Sequence, residues 1–147
     1  FELCFEIAAL VSENYEDHIK DLKDLGRNLG IIFQIQDDIL ELTSDNDIMG
    51  KGTFSDIERN KKTILTCLAM EKNLSEWNKL IQAINKKNSF EKKESINDFF
   101  NKKDLREESN NLLSKYKKKC NEIISKLPEE IQGGLNELIS YIIKRDK

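Results

Sequence analysis

Apolar residues recur along this chain at spacings of three and four, the period of helices that bury one stripe. Leu3, Ile7, Leu10 and Val11 share a face of a first helix, predicted from the start to about Glu13. Ile19, Leu22, Leu25 and Leu29 belong to a second that begins near Glu16 or Asp17, and the pattern continues through Ile31 to Leu42. The stretch from Thr43 to Thr53, rich in Asp, Asn and Gly, reads as a loop. Ser55-Asp-Ile-Glu58 has the form of a capping box and predicts a helix continuing through Ile64, Leu65, Leu68 and Ala69. Leu74, Trp77, Leu80, Ile81 and Ile84 make another stripe, the polar residues 85–93 are expected to loop, and Ile96, Phe99 and Phe100 form a short apolar patch. Leu112, Leu113, Tyr116, Cys120, Ile123, Ile124 and Leu127 predict a long amphipathic helix, with Lys115 and Lys117 to Lys119 on its solvated side. Pro128 suits the first turn of a last helix holding Leu135, Leu138, Ile139, Ile142 and Ile143.

Composition agrees with this pattern. One proline and six glycines in 147 residues supply too few turns for a β fold, so the expected class is all-α, with residues 1–147 as one unit. Gly26 and Gly30, four apart, admit two readings: the close approach of another helix, or a break near Gly26. The net charge of −3, from 24 basic and 27 acidic residues, argues against a nucleic-acid partner. No apolar run approaches the ~20 residues of a transmembrane helix. Cys4, Cys67 and Cys120 lie far apart with no CxxC, which favours a reducing, cytoplasmic setting over a disulfide framework or a zinc site. The chain opens in mid-pattern at Phe1 with no capping residue before it, and is expected to be the C-terminal part of a longer polypeptide.

Candidate chemistry is concentrated in residues 31–42. At ~100° per residue, Gln34, Asp37, Asp38 and Glu41 fall on one arc, and apolar side chains occupy most of the remaining circumference. Like charges a turn apart oppose one another, and desolvation raises the opposition. A bound divalent cation would relieve it, and oxygen ligands without His or Cys point to Mg²⁺. An ordinary exposed acidic face is the competing reading. Downstream come Gly50-Lys51-Gly52 in the loop and Lys61-Lys-Thr63 at the next helical pattern. Carboxylates followed by cations are what a Mg²⁺-bound diphosphate requires, with metal bridging carboxylate to phosphate and lysines neutralising the remaining charge.

Taken together, Phe33-Gln-Ile-Gln-Asp-Asp-Ile-Leu-Glu41, Gly50-Lys51 and Ser55-Asp-Ile-Glu-Arg-Asn-Lys-Lys-Thr63 resemble the trans-prenyltransferases, the farnesyl, geranylgeranyl and longer polyprenyl diphosphate synthases. The match is to the second aspartate-rich motif, FQxxDDxxD, and the segment after it; residue 41 is Glu where the family usually has Asp. The resemblance implies the C-terminal half of an isoprenoid synthase helical bundle, a homodimer when complete, that condenses isopentenyl diphosphate with an allylic diphosphate. It implies that Asp37 binds Mg²⁺, with Asp38 and Glu41 supporting that metal and its waters. Lys51 and Lys61 would contact the allylic diphosphate, and Phe33 and Gln34 would line the cavity. Lys144, Arg145 and Lys147 are read as helix-end solvation, with a basic tail that closes over isopentenyl diphosphate as the alternative. The family's first DDxxD motif, with its arginines, is not in this sequence, so the chain would hold half an active site and be inactive alone. A terpene cyclase on the same bundle would usually carry Asn, Ser/Thr and Glu at the second metal site, unlike the Asp37-Asp38 pair. A noncatalytic helical subunit or interaction fragment is the alternative from a different class.

Overall fold

The computed structural model describes residues 1–12, 15–43 and 55–145, with side chains throughout except at 41–43 and 55. Among these residues are seven α-helices and no strand: α1 (Glu2–Val11), α2 (Ile19–Thr43), α3 (Ser55–Glu58), α4 (Ile64–Ile84), α5 (Ser89–Lys102), α6 (Leu105–Ile124) and α7 (Glu129–Lys144). The all-α class expected from the pattern is the class observed. Packing divides the chain into two compact units, Phe1–Gln36 with Asn111–Asp146 and Asp37–Asn110, so α2 and α6 contribute residues to both. The apolar pattern, read as one unit, thus serves two cores.

In the first unit, Leu22, Leu25, Leu29 and Ile32 project from α2 at helical spacing into a cluster with Cys120, Ile124, Leu127, Ile139 and Ile142. Each fully buried Leu or Ile of this kind contributes about 1.5–3 kcal/mol of transfer free energy. The helix α2 runs unbroken through both glycines, and at Gly26 the close-approach reading holds. A Cβ there would lie 2.9 Å from the Phe1 carbonyl oxygen and 3.0 Å from Glu2 Cα. Gly30 is different, because its Cβ would meet nothing nearer than Phe1 Cβ at 3.7 Å. The start of α1 is clasped onto α2 by Arg27, which donates to both Glu2 carboxylate oxygens at 3.0 Å, and by Lys23, which donates to Glu6 at 2.9 Å. That clasp rotates α1 so that Ala9 is buried while Leu3, Ile7, Leu10 and Val11, the stripe its sequence marks as inward, are exposed.

In the second unit, Ile57, Leu65, Ala69, Trp77, Ile84, Ile96, Phe100 and Leu105 form the core. The fully buried Trp77 donates its indole N–H to Asn60 Oδ1 at 3.1 Å, which pairs the polar atom that burial would otherwise strand. Three boundaries differ from expectation. The helix expected to open at Ser55 and run on stops after one turn: Asn60 takes φ 51°, its N–H donates to the Ile57 carbonyl (2.9 Å), and the Lys61 N–H donates to that of Asp56 (2.8 Å). This is a Schellman end with Asn in the left-handed position. Helix α5 begins inside the stretch expected to loop, because Asn88 and Glu91 form a reciprocal capping box. Helix α6 begins at Leu105, ahead of Leu112, with buried Ser109 donating to the Leu105 carbonyl at 2.6 Å. A small polar residue on the inward face had hidden that first turn from the apolar pattern.

Candidate active site

Helix α2 carries the aspartate-rich segment, and its residues divide sharply by environment. In the first unit Phe33 is half-buried, with the Phe1 ring centroid 5.5 Å away and the Arg145 guanidinium 4.4 Å above its ring. Arg145, read as helix-end solvation, is thus a cation stacked on the aromatic that opens the motif. Lys144 is exposed as expected, and Lys147 lies outside the described residues. Gln34 is exposed on the same helix.

In the second unit the two adjacent aspartates part company. Asp37 is exposed, whereas Asp38 is 5% exposed and its Oδ2 accepts from the Leu65 backbone N–H at 3.3 Å. Successive helical residues diverge by ~100°, so one carboxylate can face water while its neighbour faces a packed element. That element is the first turn of α4. Thr63 is its N-cap, its Oγ1 accepting from the Thr66 N–H at 3.3 Å. The Thr66 hydroxyl, fully buried, accepts from the Thr63 N–H at 2.8 Å and donates to the Lys61 carbonyl at 2.6 Å. Lys61 is therefore gripped through its backbone from both sides, by the Schellman end of α3 and by the cap of α4. Its ammonium extends outward and pairs with Asp56 Oδ2 at 2.7 Å. Lys62 is exposed at the mouth of a cavity of about 270 Å³ that Cys67 and Leu68 also line.

Of the residues singled out in the sequence, the structure brings Asp38 against the segment that begins with Lys61. The Glu41 side chain, Lys51 and the glycines around it lie outside the described residues. Among the described residues no three His, Cys, Asp or Glu side chains are grouped to hold a metal by themselves. The donor set on offer is nonetheless a hard one. An exposed carboxylate at Asp37 fits Mg²⁺, which takes one or two protein carboxylates and fills its octahedron with water and substrate phosphate. Asp56 and Thr66 have no role in the sequence reading, and the stacking of Arg145 on Phe33 is not visible there. Thr63-x-x-Thr66 is a legible cap signal that would have found Thr66; the other two depend on tertiary contacts.

The profile of the family described as Polyprenyl synthetase matches residues 1–102. A geranylgeranyl diphosphate synthase of Sulfolobus acidocaldarius is 37% identical over all of this chain, which covers 46% of that protein. Farnesyl pyrophosphate synthase 1 of Cannabis sativa is 35% identical, again over the whole chain and 43% of the relative. A geranylgeranyl diphosphate synthase of Saccharolobus solfataricus is 29% identical with the same full coverage and 46% of its own length. The chain thus spans less than half the length of these relatives. No solved structure matches.

Proposed function

Since the chain belongs to the polyprenyl synthetase family, we propose that it is the C-terminal half of a Mg²⁺-dependent trans-prenyltransferase. The complete enzyme would join isopentenyl diphosphate to an allylic diphosphate. In that reaction the allylic carbon–oxygen bond breaks, a carbon–carbon bond forms to the terminal alkene carbon, and diphosphate and a proton are released. Bound Mg²⁺ would supply charge neutralisation at the departing diphosphate. Asp37 would hold the metal, with Asp38 and Glu41 supporting it. Lys51 and Lys61 would bind the allylic diphosphate oxygens, and Phe33 and Gln34 would line the cavity for its hydrocarbon. The exchange open to Lys61 is clear: its ammonium now rests on Asp56 at 2.7 Å, and an incoming phosphate is a competing anion of higher charge. We place the complete enzyme in the cytoplasm as a homodimer; no helix among the described residues is long and apolar enough to cross a membrane.

The observation that most supports this reading is the tether between the two motif segments. The Asp38 carboxylate on α2 meets the backbone of Leu65, so the aspartates and the Lys61-Lys-Thr63 segment, 23 residues apart in sequence between Asp38 and Lys61, are brought to one place. The test is product analysis. The complete polypeptide, given Mg²⁺, isopentenyl diphosphate and an allylic diphosphate, should yield a longer trans-prenyl diphosphate. Release of a cyclised hydrocarbon, or no isoprenoid product with any allylic diphosphate, would refute it.

A further inference from the structure

Two neighbouring aspartates in a metal-binding motif invite the same role for both, and the structure separates them. Asp37 is exposed, while Asp38 is 5% exposed and turned onto the first turn of α4. The Leu65 N–H that Asp38 accepts is one of the donors a helix start leaves without an intrahelical partner. With Ile64 first in α4, Leu65 is the second helical residue, and the capping threonines already serve the third. A carboxylate at a helix N-terminus is also favoured by the helix dipole. Both effects strengthen with burial, and Leu65, Thr63 and Thr66 are all buried. The same turn also holds the Lys61 carbonyl, through the Thr66 hydroxyl at 2.6 Å.

We propose that Asp38 is a positioning residue, supporting the site by anchoring the start of α4, and through it Lys61, to helix α2, and not by touching the metal. This rests on the prenyltransferase reading for its effect on catalysis, though not for the anchor itself. The anchor requires an acceptor oxygen at position 38, which asparagine also provides. A metal ligand requires the charge, which asparagine lacks.

The experiment compares Asp38→Asn and Asp38→Ala in the complete polypeptide. Amide hydrogen exchange of the metal-free protein, read at Leu65, should stay within about fivefold of the unaltered protein in Asp38→Asn, which loses only the charge–dipole part, and in Asp38→Ala be at least about tenfold faster than in Asp38→Asn. In turnover assays Asp38→Ala should raise KM for the allylic diphosphate by about 10- to 100-fold, the scale on which positioning groups act, and Asp38→Asn should recover most of that loss. The Mg²⁺ concentration for half-maximal rate should stay within about twofold in Asp38→Asn, against a large rise in Asp37→Asn. A rise in Asp38→Asn matching that of Asp37→Asn would overturn the proposal, as would Leu65 exchange that ignores Asp38→Ala. Should Asp38→Ala not fold, Asp38→Asn decides alone: protected Leu65 with unchanged Mg²⁺ dependence supports the anchor, and an exposed Leu65 or raised Mg²⁺ demand removes it. If the protein makes no prenyl product but the exchange results hold, the functional reading fails and the anchor stands.

Discussion

A methyl group added at Gly26 would sit 2.9 Å from the Phe1 carbonyl oxygen, against backbone that cannot swing aside as a side chain would. Gly26→Ala should therefore lower stability by about 1–3 kcal/mol, overriding the ~1 kcal/mol that alanine gains in a helix. Gly30→Ala, with 3.7 Å to its nearest neighbour, should keep that gain and raise the melting temperature. Opposite shifts from two glycines a turn apart, read by thermal melting, distinguish a packing contact from mere helix propensity. Cys120 offers a second test on the same core. It is fully buried among Leu25, Ile124 and Ile139, and burial pushes its thiol up to about 11 from an ordinary 9.0. The folded state holds the neutral thiol, so an unfolded chain ionises first as pH rises. The contribution is complete below pH 9 and is lost progressively towards pH 11. Replacing Cys120 by Ala should flatten the alkaline fall in melting temperature over that window; an unchanged slope would mean that other groups set it.

At the scale of elements, the α3–α4 turn shows why some of the site was legible and some was not. The carboxylates, the lysines and their order were readable because chemistry-bearing residues are sparse and their sequence order survives folding. The turn itself was not, because Ser55-x-x-Glu58 and Thr63-x-x-Thr66 are both good caps and a linear pattern does not say that a helix will stop and start again between them. What decides it is Asn60, held at φ 51° and hydrogen-bonded to the buried Trp77, a contact across 17 residues. The same reasoning covers the exposed stripe of α1: its periodicity marks an apolar face, and only the tertiary contacts, at Gly26 and through the Arg27 and Lys23 clasp, show which side of the helix is turned inward. Thr66 carries the turn's energetics. Thr66→Val keeps the shape but removes two hydroxyl bonds in a buried setting, leaving the Lys61 carbonyl and the Thr63 N–H only their 2.9 Å bond to each other. The expected cost is about 1–3 kcal/mol, measured by denaturant unfolding, together with weaker allylic diphosphate binding as Lys61 loosens. A stability loss with unchanged binding would detach Lys61 from the site.

For the molecule as a whole, the pertinent fact is that the chain covers 46% and 43% of two relatives it matches from end to end. On the proposed reading, this chain would supply only one bank of a diphosphate site, because its sequence holds no DDxxD-type motif besides the one at Asp37. Residues 1–147 expressed alone should therefore turn over no allylic diphosphate, and Mg²⁺-dependent product from them would contradict that assignment. The most direct test of the central claim is kcat against Mg²⁺ concentration for Asp37→Asn in the complete polypeptide, with melting temperature followed alongside. Asp37 is exposed and carries the charge a metal would use, so its loss should cut kcat by at least about a hundredfold while the metal-free protein melts no lower than the unaltered one. Near-normal turnover in Asp37→Asn, with unchanged Mg²⁺ dependence, would contradict the claim that this helix holds the metal of a prenyl-transfer site.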